Sequence, residues 1–165
     1  MKFNLIIILS FGISFLSISQ IDPNDIEIVR DSFGVPHIYA KTDAQVAYGL
    51  AWAHAEDDFE TIQYAYLAGN GLLGHYLGKD GIGADFLASF IGSEELYKKK
   101  FNTDISPEYL KVLEGYSAGL NSYAKHNPDE VLSSKLFPVT PKKMMKYGQL
   151  QLFMSSRGDY WVSRI

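Results

Sequence analysis

At 165 residues the chain has the length of one domain, and its 47% hydrophobic residues are enough for a sizeable core. A formal net charge of -4 gives no electrostatic reason to expect nucleic acid or an anionic membrane as partner, and 21% charged residues describe an ordinary solvated surface. With no cysteine, disulfides, thiolate metal sites and cysteine nucleophiles are excluded.

The first segment reads as a secretory signal. Lys2 is a positive n-region, Leu5 to Leu16 is apolar except at Ser10, Gly12 and Ser14, and Ser17-Ile18-Ser19 places small residues before a cut at Gln20. A spanning anchor needs about 20 apolar residues, and this run is shorter. Residues 1–19 are therefore expected to be a signal peptide and 20–165 the mature segment, periplasmic or secreted, with no stable membrane anchor.

A hairpin follows. Ile26, Ile28 and Arg30 alternate with Glu27 and Val29 as in a strand, Asp31-Ser32-Phe33-Gly34 is a turn, and Pro36 to Ala40 is the second strand with proline at its start. Thr42 and Gln45 form a capping box, so a helix should start at Asp43 and run to Leu67. Ala44, Ala47, Gly49, Ala51, Ala53 and Ala55 would let another backbone approach it closely, and Phe59, Ile62 and Tyr66 continue as a bulkier face. His54 beside Glu56, Asp57 and Asp58 suggests a metal, but neighbours on a helix point in different directions and no zincin spacing is present.

The run Ile28-Val29-Arg30-Asp31-Ser32-Phe33-Gly34-Val35-Pro36-His37-Ile38-Tyr39-Ala40 resembles the opening segment of the penicillin acylase family. The likeness continues through Tyr48 to Asp58, similar to the family's "YGxGxAxAEDR" helix, with Asp58 where arginine is usual. What the resemblance implies is an N-terminal-nucleophile amide hydrolase whose precursor cuts itself into a small α-subunit and a large β-subunit.

Further on, Gly69-Asn70-Gly71-Leu72-Leu73-Gly74 spells G-x-G-x-x-G, but it ends a helix where a dinucleotide fingerprint must open one, so its glycines are turn residues. Gly78 to Gly83 reads as a flexible connection without P-loop spacing. One helix is expected from Asp85 to Phe101, with Leu87, Phe90 and Ile91 on a face and Lys98 to Lys100 solvated near its end. Ser106-Pro107 starts another, whose stripe is Tyr109, Val112, Leu113, Tyr116, Leu120 and Tyr123. Leu113 to Asn121 also resembles the family's "GYxxGxN" helix. Asn127-Pro128-Asp129 ends it, Leu132 to Pro138 is a loop, and Thr140-Pro141 starts the last helix. That start resembles the family's "TPxxW", with Met144 in place of tryptophan. Arg157-Gly158-Asp159 matches an adhesion tripeptide, a length at which chance matches are common.

The resemblance implies a serine hydroxyl at a chain terminus, activated by its own α-amine. It places that nucleophile in a "Ser-Asn-x-Trp" setting, which this sequence does not contain. No catalytic or metal-binding residue is therefore assigned to this chain. The expected fold is α+β: a mainly helical α-subunit portion with an N-terminal hairpin, part of an αββα sandwich. The implied partners are the β-subunit portion of the same precursor and a small N-acylated substrate, with calcium belonging to the full-length protein. Arg157, Tyr160 and Trp161, on the helix after Thr140, are the substrate-binding set the resemblance points to. The alternative is a secreted noncatalytic protein that binds acyl compounds or a partner chain.

Overall fold

The computed structural model describes residues 21–158 and 160. The predicted signal peptide and Trp161 lie outside them. The elements are β1 (Glu27–Arg30), β2 (Pro36–Tyr39), α1 (Asp43–Gly69), α2 (Leu73–Leu77), α3 (Ile82–Phe90), α4 (Ser93–Asp104), α5 (Pro107–His126) and α6 (Pro141–Ser155). The mainly helical α+β expectation is met.

The strands pair antiparallel, with Ile28 opposite Ile38 and Arg30 opposite Pro36. Their turn is held by Asp31, whose Oδ1 accepts from the backbone N–H of Phe33 at 2.8 Å and of Val35 at 3.0 Å. Those two bonds keep the Asp31 carboxyl below its ordinary range. A lone hairpin is marginal in water. This one is covered on one face by α1 at Gly49, where a Cβ would come within 2.8 Å of Ile38 and 2.9 Å of Ile26.

Helix α1 begins as the sequence indicates, with the Thr42 side chain accepting from Gln45 N–H and Gln45 Oε1 accepting from Thr42 N–H. It kinks at Asp58, whose φ of -162° and ψ of 73° are not helical. Asp58 Oδ1 accepts from Thr61 N–H at 3.0 Å, so the residue caps the second half of α1. That cap lowers its carboxyl pKa.

The core lies along the crossing of α1 and α5. Gly115 and Gly119 of α5 lie directly against the carbonyls of Ala44 and Tyr48, with no room for a Cβ at either position. Ala51, Ala55, Phe59, Leu120, Tyr123 and Ala124 continue the buried seam. The stripe read from the sequence is therefore corrected at one end: Tyr109 is 50% exposed, because the contact is centred on the small residues Gly115 and Gly119 and not on the aromatic row. Gln63, fully buried, donates to the Glu130 carbonyl at 2.9 Å and accepts from Leu132 N–H at 2.8 Å, fixing the loop after α5 to α1.

Two further expectations are corrected. Residues Gly78–Gly81 form a 3-10 turn, not a flexible connection, and Gly81 is buried against the backbone of Leu73 and Gly74. Asp85 closes this corner by accepting from Leu73 N–H at 2.8 Å and Gly74 N–H at 2.9 Å. The single helix expected from Asp85 to Phe101 is two helices, because Gly92 turns left-handed at φ 68° between them.

Candidate functional site

The site is built on α6. Thr140 caps it through Lys143 N–H, and Pro141 fills the first helical position. Its approach is held from α5, where Asn121 donates to the Val139 carbonyl at 2.8 Å and accepts from Val139 N–H at 2.7 Å. Lys143 Nζ donates to the carbonyls of Leu136 and Pro138, and burial pushes its ammonium below the usual lysine range. Asn70 donates to the Lys143 carbonyl at 3.0 Å, tying the C-terminal end of α1 to the same helix. The side of α6 carrying Met144, Tyr147 and Leu150 packs inward.

The opposite side meets α4. Glu94 bonds Lys142, and its second oxygen accepts from Lys146 at 3.4 Å. The Lys142 bond is the main cause that brings the Glu94 carboxyl down to about 2. Beneath this clamp runs an open groove of about 210 Å³ between α4 and α6, lined by Leu96, Tyr97, Phe101, Ile105, Met145 and Gln149, with Lys100 and Asp104 at its rim. The wall is mainly apolar; behind it the Gln149 Oε1 atom is buried and accepts no hydrogen bond among the described residues. An apolar concavity of this kind is suited to an apolar group.

The residues singled out from the sequence lie further along. Helix α6 does not run on to Tyr160; it ends at Ser155, and Arg157 adopts φ 61° before a helical turn that includes Gly158 and Tyr160. Gly158 is buried against the Phe153 ring, which occupies the space a Cβ would need. Arg157 and Tyr160 do come together, with the guanidinium 5.1 Å from the ring centroid. They do not line the α4–α6 groove. Met145 and Gln149 do, four residues apart on one side of α6, a spacing that does not by itself single them out.

The recurring motif residues near the N-terminus form a separate, structural cluster. Arg30 reaches Glu56 at 3.1 Å and Asp57 at 2.8 Å, and donates to the carbonyls of Gly34 and Ala53, so a single guanidinium joins the hairpin to α1. Trp52 Nε1 donates to the other Glu56 oxygen at 2.8 Å. His54 pairs with the Tyr116 hydroxyl at 3.1 Å. Among the described residues no group of three or more His, Asp or Glu side chains is arranged to hold a metal ion, and no helix is long and apolar enough to cross a membrane.

A family model described as penicillin amidase matches residues 25–161. Among curated proteins, penicillin G acylase of Escherichia coli is 26% identical over 159 residues, covering 88% of this chain and 18% of the relative. An acyl-homoserine lactone acylase, PvdQ, of Pseudomonas fluorescens is 26% identical over 165 residues, covering 92% of this chain and 21% of the relative. The chain thus spans about a fifth of the length of these relatives. A solved structure of thermostable penicillin G acylase from Alcaligenes faecalis superposes with a TM-score of 0.66 at 20% identity, over 78% of this chain and 72% of that one. At that identity the superposition speaks for the fold.

Proposed function

The chain belongs to the penicillin amidase family, and from that premise we propose that it is the α-portion of an exported hydrolase of linear amide carbon–nitrogen bonds, completed by a polypeptide that continues it. The single observation carrying this reading is the family match across residues 25–161, which takes in both the hairpin-to-α1 junction and α6. One relative is named a penicillin acylase 2 proenzyme.

In this reading a serine hydroxyl on the continuing polypeptide attacks the amide carbonyl while its own α-amine takes the proton. The carbon–nitrogen bond breaks, the amine leaves with that proton, and water then releases the acid from the ester. Backbone N–H groups and an Asn on that polypeptide hold the oxyanion, and the implied calcium is assigned to the full-length protein. Arg157, Tyr160 and Trp161 are proposed to face the acyl group. The substrate is a small N-acylated compound, with a β-lactam side chain and an acyl-homoserine lactone as the two classes the relatives' names suggest.

The test is hydrolysis of a panel of chromogenic N-acyl anilides, from aryl-acetyl to long alkyl, by the complete polypeptide. Release of the aniline with a preference that shifts in Tyr160→Ala supports the reading. Binding of the same amides without turnover would replace it with the noncatalytic acyl-binding alternative.

A further inference from the structure

We propose that Asn70-Gly71 is a spontaneous deamidation site, held back while α6 is docked on α1, whose conversion then keeps α6 from docking again. It is the only asparagine–glycine pair in the sequence. The fold demands each residue of this corner. Gly71 leaves the last turn of α1 at φ 66°, its N–H donates to the Ala68 carbonyl at 3.2 Å, and Leu72 N–H donates to the Leu67 carbonyl at 2.9 Å, a helix end that glycine adopts with least strain. Gly69 lies against the Tyr147 backbone of α6 with no room for a Cβ. Between the two glycines, Asn70 Nδ2 donates to the Tyr66 carbonyl at 2.8 Å and to the Lys143 carbonyl at 3.0 Å. The helices thus meet backbone to backbone, with this one amide as a tie across them.

The same pairing has a chemical consequence. Glycine carries no side chain to hinder its own nitrogen, so in an open chain the Gly71 nitrogen gives its proton to water or hydroxide and attacks Asn70 Cγ. A bond forms between that nitrogen and Cγ, the Cγ–Nδ2 bond breaks, and ammonia leaves after taking a proton from solvent. Water then opens the cyclic imide to aspartate or isoaspartate. The folded chain opposes the attack in three ways. Both Nδ2 protons are engaged, the Gly71 N–H is bonded to Ala68, and the Asn70 ψ of 3° turns the Gly71 nitrogen toward the nitrogen of Asn70 itself and away from its side chain. A local opening that undocks α6 and frays the end of α1 releases all three. Once formed, the carboxylate has acceptors only, and the Tyr66 and Lys143 carbonyls it would face are acceptors as well, so the tie cannot be remade. This inference stands apart from the reaction assigned to the site on α6.

The complete polypeptide is held under mildly alkaline conditions, and the peptide carrying position 70 is followed by mass spectrometry, with chromatography resolving aspartate from isoaspartate. Four samples are compared: the folded parent, the parent in urea, Gly69→Ala, which presses a methyl into Tyr147, and Leu150→Ala, which empties a buried position on α6. Both variants are read at a temperature where they keep the parent's circular dichroism. Conversion should be at least tenfold faster in urea than in the folded parent, and at least threefold faster in each variant. In Asn70→Asp, hydrogen exchange of the α6 amides should rise at least tenfold while the crossing of α1 and α5 is unchanged. Equal conversion in the folded and urea-treated parent, variants no faster than the parent, or unaltered α6 exchange in Asn70→Asp would each overturn the proposal.

Discussion

Two helix pairs in this molecule are built on opposite terms. Where α5 crosses α1, glycines and alanines bring backbones together, and the polar groups that are buried nearby, such as Gln63, find partners within the chain. Where α6 meets α4, charged clamps sit above an open apolar groove and a buried acceptor has no partner among the described residues. The first pair is finished by this sequence alone. The second is held at its edge by ion pairs and leaves an apolar groove open between its helices.

The contrast can be broken most forcefully at the seam. Leu120 is 1% exposed in the middle of the core, and Leu120→Ala should destabilise the protein by about 2–5 kcal/mol, read from urea unfolding. A smaller cost would mean the seam is looser than its geometry indicates. The glycines sharpen the comparison further, because the same substitution should have opposite signs in the two regions. Gly115→Ala forces a methyl into the Ala44 carbonyl and should cost about 1–3 kcal/mol. Gly148→Ala meets open space in this chain and should stabilise it by about 0.5–1 kcal/mol, measured by thermal melting.

The smallest expected effect is pH-dependent. Glu94 is held near 2 against an ordinary 4.5, so its contribution to the α4–α6 clamp is present above 4.5 and is lost as pH falls from there toward 2. Its side chain is 42% exposed, so the effect should be modest and weaken with salt. Hydrogen exchange in α4 should rise over that window in the parent chain. In Glu94→Gln the same window should be flat.

How much of this was readable beforehand divides along the same line. The hairpin, the Thr42 capping box and the Ser106-Pro107 and Thr140-Pro141 helix starts are local devices, fixed by residues within three or four positions of one another, and the structure places each where the sequence does. The break at Gly92 was not legible, because a glycine inside an amphipathic pattern is usually tolerated and only its φ of 68° separates α3 from α4. The stop after Ser155 was hidden for a related reason: Arg157 carries no sequence sign of a left-handed conformation. Asp58 reads as a departure from a helix motif and turns out to cap a kink. The groove depended on how α4, arriving from Gly92, settles against α6, and no local pattern around Gln149 encodes that.

One helix pair packs backbone against backbone, and the other leaves an apolar groove open between its helices. Native-state hydrogen exchange tests this contrast most directly, helix by helix. Amide protection across the crossing segments of α1 and α5 should exceed that in α4 and the outer side of α6 by at least tenfold. Equal protection in all four helices would show that the open groove does not loosen its pair.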